Sequence, residues 1–158
     1  MQATGKNPAS TLNDEIAATK SLVDVLKREQ TVLIAADTDA LPALNDEKAQ
    51  LIARIAGLTH TRYQALSAAG FPDEEAGMKA WVESPSASAG ANKSWSDLLD
   101  AARAAKELNR VNGMLIGKHL ARNQAALNVL QGNRQASSLY GPNGQTAVTT
   151  GSRGLVVG

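Results

Sequence analysis

The sequence contains no cysteine, and its 158 residues include only two tryptophans, two tyrosines and one phenylalanine. The first absence excludes disulfides, thiolate nucleophiles and thiolate-held metals. The second speaks against a sheet protein, because strands draw on aromatic and β-branched side chains. An excess of one charge is also missing. Sixteen Lys and Arg stand against fifteen Asp and Glu, a formal net charge of +1, so the whole-chain charge gives no reason to expect a nucleic-acid or anionic-membrane binder. No stretch approaches the roughly 20 apolar residues that span a bilayer, and the opening Met1-Gln2-Ala3-Thr4-Gly5-Lys6-Asn7-Pro8 lacks the apolar run of a signal peptide. These absences lead us to expect one core and a cytoplasmic location. What is abundant is alanine, with 28 residues, the best helix former. The expected class is all-α.

Apolar spacing divides the chain into helices. The first opens near Ser10 to Asn13 and carries Leu12, Ile16, Val23, Leu26 and Leu33, with Thr19 and Gln30 as seam positions. Asp24 and Arg28, four apart off that stripe, form a solvated pair. The pattern breaks at Asp37-Thr38-Asp39, where Thr38 or Asp39 can cap a second helix with Pro42 in its first turn. That helix places Leu41, Leu44, Leu51, Ile55, Leu58 and Leu66 on one face, with Ile52 alongside and Lys48 and Arg62 in the gaps. It stops at Gly70-Phe71-Pro72. Gly57, which costs about 1 kcal/mol relative to alanine, points to close approach of a neighbouring helix. A tight turn at 37–39 makes the two segments an antiparallel hairpin; one bent helix is the alternative.

Asp73-Glu74-Glu75, followed by Met78, Trp81 and Val82, predicts a short helix with acids at its N-terminus. Residues 84–93, small and aperiodic, read as a flexible loop. A long helix then begins at Ser94 or Ser96 and stops at Gly132-Asn133, about 50 Å at 1.5 Å per residue. The expected architecture is an elongated antiparallel bundle of three long helices plus a short one over residues 10–132, with a mobile C-terminal tail over 133–158.

No constellation points to catalysis or to a metal. His60 and His119 stand alone, without a His, Asp or Glu three or four residues away, and the adjacent carboxylates Asp46-Glu47 and Glu74-Glu75 point about 100° apart on a helix. Gly141-Pro142-Asn143-Gly144 follows no strand and opens no helix, so it reads as a turn and not as a phosphate-binding loop. We therefore expect no enzyme, no cofactor and no metal. The long helix does carry an unusual set of amides, Asn109, Asn112, Asn123 and Gln124, on or near its stripe. Either they fix register inside the bundle, or they are satisfied only when a partner helix covers that face.

Several of these stretches have a family likeness. The chain resembles the FlgN family of flagellar type III export chaperones in Leu22-Val23-Asp24-Val25-Leu26-Lys27-Arg28-Glu29, in Asp39-Ala40-Leu41-Pro42-Ala43-Leu44 with Lys48 and Leu51, and in Arg62 to Leu66, Gly70 and Trp81. It also does so in Asn109-Arg110-Val111-Asn112-Gly113-Met114-Leu115-Ile116, Asn123-Gln124-Ala125-Ala126-Leu127 and Tyr140-Gly141-Pro142-Asn143-Gly144-Gln145. The resemblance implies a cytoplasmic chaperone. It would bind the C-terminal segments of the hook-filament junction proteins FlgK and FlgL, keep them from assembling early and deliver them to the export apparatus. It places the client face at Leu108, Val111, Asn112, Leu115, Ile116, Leu120, Asn123, Leu127 and Leu130. It places contact with the export gate at Leu139, Tyr140, Gly141 and Gly144. A self-assembling structural or adaptor bundle, with the same stripe forming a homodimer, is the alternative from another class.

Overall fold

A computed structural model describes residues 7–139, with side chains through Asn133. The described residues are helical, with no strand among them: α1 (Leu12–Ile34), a 3-10 turn (Thr38–Ala40), α2 (Leu41–Ala68), α3 (Glu75–Val82) and α4 (Ala91–Leu139). The chain divides into two units, Met1–Leu115 and Ile116–Gly158, with the division inside α4.

In the first unit the antiparallel hairpin is realised. Pro42 lies in the first turn of α2, where its missing N–H costs nothing. The chain leaves α1 through Ala36, which holds a left-handed φ of 56°. Glu15 near the start of α1 pairs with Arg62 near the end of α2, while Arg28 and Glu29 toward the end of α1 pair with Glu47 and Lys48 near the start of α2, as antiparallel helices require. Two of these pairs repeat one another: Glu15 and Glu29 lie two heptads apart on α1, as do Lys48 and Arg62 on α2. Arg28, expected to pair with Asp24, instead donates to Glu47 Oε1 at 2.7 Å across the hairpin. That hydrogen bond raises its pKa above the usual guanidinium value.

The base of this unit is an apolar cluster of Leu12, Leu66, Met78, Trp81, Ala91, Trp95 and Leu98, with Phe71, Val82 and Ala87 packed against it. Two tryptophans at one end of the unit thus supply much of the large apolar surface that the rest of the chain lacks, each worth a few kcal/mol of burial. Trp81 comes from α3, which the spacing anticipated, and Trp95 from the first turns of α4. Farther along, Asn112 meets Leu26, so the first part of α4 runs in the direction of α1. The interior stripe of α1 is rotated from the expected one. Ala18, Val25, Glu15 and Glu29 are buried, while Ile16 and Val23 are only half-covered.

Three local expectations need correction. Helix α4 starts at Ala91, not at Ser94 or Ser96, because Gly90 takes the positive-φ turn (81°) and Ala91 is drawn into the core. The expected loop at 84–93 therefore shrinks. Within it Ser84 Oγ donates to Trp81 O at 2.6 Å and Ala87 N to Ser84 O at 3.2 Å. At the other end α4 passes through Gly132 and Asn133 to Leu139; one glycine costs about 1 kcal/mol, less than is needed to stop a helix already propagating. Lastly, Gly57 has open space around it, and the close approach occurs at Gly77, where a Cβ would sit 1.8 Å from the Pro72 carbonyl oxygen.

Candidate partner-binding face

The nine residues expected to form a client face fall into two groups. In the first unit, Leu108, Val111 and Leu115 are half-buried. Asn112 is 1% exposed, and its Nδ2 donates to Leu26 O at 2.8 Å and to Glu29 Oε1 at 2.9 Å. Of the two alternatives for the amides, Asn112 takes the register-fixing one: it is spent inside the unit and is not presented to a partner. Lys48 Nζ donates to the other oxygen of Glu29 at 2.7 Å, which joins α1, α2 and α4 in one polar layer.

In the second unit the remaining five residues, Ile116, Leu120, Asn123, Leu127 and Leu130, recur at steps of four and three, so a single helix face carries them all. Every one is exposed. The four aliphatic side chains retain 39%, 64%, 52% and 59% of their accessible surface. Isolated exposed leucines are ordinary, but four large aliphatics in one register form a contiguous strip of the kind that marks an interaction surface. Asn109 and Gln124 are also exposed, and Gln124 Nε2 donates to Asn128 Oδ1 at 3.2 Å. The apolar spacing missed Met114 and Val129, exposed at 53% and 62%, because both lie off the strip.

A second arrangement lay beyond the pattern altogether. Glu15, 1% exposed, accepts from Thr11 Oγ1 at 2.9 Å, Thr59 Oγ1 at 3.0 Å and Arg62 Nε at 2.9 Å. The Arg62 guanidinium lies 5.1 Å from the Tyr63 ring centroid and 4.9 Å from that of Trp95, a placement in which the ring faces attract the cation. Its Nη1 is buried without a hydrogen-bond partner. The carboxylate is held by hydrogen-bond donors from α2 and from Thr11 at the start of α1, so the arrangement suits the locking of helices and not proton transfer.

Leu139 is the last residue of α4; Tyr140, Gly141 and Gly144 lie outside the described residues. His60 is exposed and His119 half-buried. Among the described residues no group of three or more His, Cys, Asp or Glu could hold a metal ion. No described helix is long and apolar enough to cross a membrane.

Comparison with known proteins adds a lineage to this geometry. The family profile described as FlgN protein matches residues 1–147. The flagella synthesis protein FlgN of Proteus mirabilis is 28% identical over 137 residues, which cover 85% of this chain and 86% of that protein. Its counterpart from Yersinia enterocolitica is 27% identical over 135 residues, 84% of each. No solved structure matches.

Proposed function

Since the chain belongs to the FlgN family of flagella synthesis proteins, we propose that it serves flagellar assembly as a cytoplasmic type III export chaperone without catalysis or cofactor. Its clients are the C-terminal helical segments of the hook-associated proteins FlgK and FlgL, which it shields from early assembly and hands to the export apparatus. The strip Ile116, Leu120, Leu127 and Leu130, with Asn123 at its centre, receives the client. The segment from Leu139 through Tyr140, Gly141 and Gly144 meets the export apparatus.

The observation that carries this reading is the exposure of four large aliphatics in one helical register. A helix laid along that strip would bury apolar area worth roughly 25 cal/mol per Å², reduced by the cost of ordering the client tail. The test is a calorimetric titration with C-terminal peptides of FlgK and FlgL, with helicity followed in parallel. Heat and a gain in helix are expected, and both should fall sharply in the Leu120→Glu/Leu127→Glu chain. Neither heat nor helix from either peptide would overturn the proposal. So would a concentration-independent dimer that seals residues 116–130, since it would leave no face for a client.

A further inference from the structure

The lock between Glu15 and Arg62 leaves one end of the guanidinium over. Arg62 is 5% exposed and donates from Nε to Glu15 Oε2 at 2.9 Å, while its Nη1 is buried with no acceptor. A guanidinium keeps its charge and all its donors at any ordinary pH, so a buried Nη1 without an acceptor carries a standing cost that a visiting oxygen can remove. Beside it lies a cavity of about 200 Å³. Arg62 lines this cavity together with the three groups it bonds or stacks on, Glu15, Tyr63 and Trp95. Ile55 and Leu99 add apolar wall, and Glu75, in the first turn of α3, adds an exposed carboxylate. All of these residues belong to the first unit of the chain.

We propose that this cavity binds an uncharged stretch of partner peptide, with one leucine-like side chain against Ile55, Trp95 and Leu99 and a main-chain carbonyl accepting from Arg62 Nη1. The site is separate from the distal strip and does not depend on that strip receiving a client. Its size suits one side chain and the peptide group beside it, and falls below the roughly 300–1,000 Å³ of ordinary small-molecule and cofactor sites. Charge selects against ions of either sign. The positive charge of Arg62 is already answered by Glu15, and Glu75 adds a further negative one, so an anion would meet two carboxylates and a single cation. A cation drawn to Glu75 would leave Nη1 without its acceptor. A peptide group brings an acceptor for the arginine and an N–H for a carboxylate in one uncharged unit. The carbonyl gains more here than from a neutral donor, because hydrogen bonds to an ionised group are the stronger kind.

The test titrates N-acetyl-leucinamide into the isotope-labelled full chain and follows two reporters by nuclear magnetic resonance, the indole N–H of Trp95 and the Nε–H of Arg62. Trp81, which is not part of the cavity lining, serves as the internal control. Both reporters should move while Trp81 stays still, with a dissociation constant on the order of 1 mM for so small a probe. N-acetylglycinamide keeps the peptide groups but lacks the side chain, and should bind about tenfold more weakly. N-acetyl-leucine, which carries a carboxylate, should also bind more weakly than the amide. Ala102 is exposed and lines the cavity, so Ala102→Trp should fill it and weaken binding at least about tenfold, with helicity unchanged by circular dichroism. A still Trp95 at many times the expected constant would leave Nη1 to solvent and overturn the proposal. Movement of Trp95 without Arg62 would overturn the carbonyl assignment, and tighter binding of N-acetyl-leucine would overturn the uncharged-peptide reading in favour of a carboxylate. If Ala102→Trp binds the amide as the natural chain does, the probe sits elsewhere and the site is wrong.

Discussion

Arg62→Met should be among the most damaging single substitutions in the chain, and the reason can be worked through atom by atom. Glu15 is 1% exposed, and its carboxylate receives the Arg62 guanidinium at 2.9 Å and two threonine hydroxyls. Removing the arginine leaves a buried charge held only by neutral donors, which costs about 3–5 kcal/mol. That is a large part of the 5–15 kcal/mol available to a domain of this size. Glu15→Met/Arg62→Met removes both charges together with the orphaned Arg62 Nη1, itself a burden of about 1–3 kcal/mol. Against that gain, the Thr11 and Thr59 hydroxyls lose their acceptor; Thr59 is half-buried, so water can replace it there. The double variant should therefore return to within about 2 kcal/mol of the natural chain. Urea unfolding reads this directly: with m near 1.5 kcal/mol/M, the single variant shifts the midpoint down by about 2–3 M and the double variant recovers most of it. A single variant within about 1 kcal/mol of the natural chain would count against this pairing. So would a double variant no more stable than the sum of its singles, because either result would mean that the two charges do not depend on each other.

Four further outcomes follow from other parts of the molecule. Gly77→Ala must move the Pro72 carbonyl from its path, and thermal unfolding should show a loss of about 1–3 kcal/mol. Ala36→Gly relieves a left-handed alanine and should raise stability by about 0.5–1 kcal/mol in the same assay, with no change expected only if that residue can relax elsewhere. Leu120→Glu, on a side chain 64% exposed, should alter unfolding by less than about 0.5 kcal/mol yet weaken client binding; a large stability loss would show that the strip is covered in the free protein. Tyr140→Ala should leave FlgK and FlgL peptide affinity unchanged and weaken pull-down of the export apparatus, and loss of client affinity instead would merge the two proposed roles.

Acidity should matter little on the exposed surface. The Glu107 carboxyl is held below its ordinary value by the hydrogen bond from Arg110. A depressed carboxylate stabilises the fold above its unfolded pKa and loses that contribution as pH falls through the folded one. The pair is fully exposed, so Glu107→Gln should leave the melting temperature at neutral pH unchanged, and a clear drop would mean that this turn of α4 is packed more closely than it stands here.

What the sequence disclosed depended on whether period or partner decided the outcome. Pro42, Gly70 and the stripe from Leu44 to Leu66 announced the hairpin because helix limits are local matters of φ, although the cap expected from Thr38 or Asp39 is not made: Ala40 precedes α2 and no side chain caps it. Glu15 and Glu29 passed unnoticed because a charge on a helix is read as solvated, and one helix cannot say which of its acids faces a base on the next. A signal was present all the same: acids fourteen apart on α1 and bases fourteen apart on α2 superpose when the hairpin closes. Gly77 and Gly57 illustrate the same limit, since both look like weak points and only the packing of Pro72 separates them.

The amide layer at Asn112 also suggests why a helix with an uncovered strip can stay formed. An isolated helix of 116–133, with Gly117 and Gly132 inside it, would be marginal in water, because the first turn fixes several residues for one hydrogen bond. Here that cost is met earlier in α4, where Trp95, Leu98 and Ala105 are buried and Asn112 is bonded to Leu26 and Glu29. Each later residue then adds one hydrogen bond for one residue ordered, a balance close to neutral that alanine and leucine tip toward helix. A face prepared in this way demands no ordering of its own when a client arrives, so more of the apolar burial is left as affinity. Asn112→Ala tests the connection. It removes the hydrogen bonds to Leu26 and Glu29 at a cost of about 1–3 kcal/mol, and hydrogen exchange should then quicken first in residues 116–130 and client affinity should fall although no client-facing side chain has changed. If exchange there is unaltered while the core around Trp95 loosens, Asn112 does not anchor the distal helix, which then holds itself.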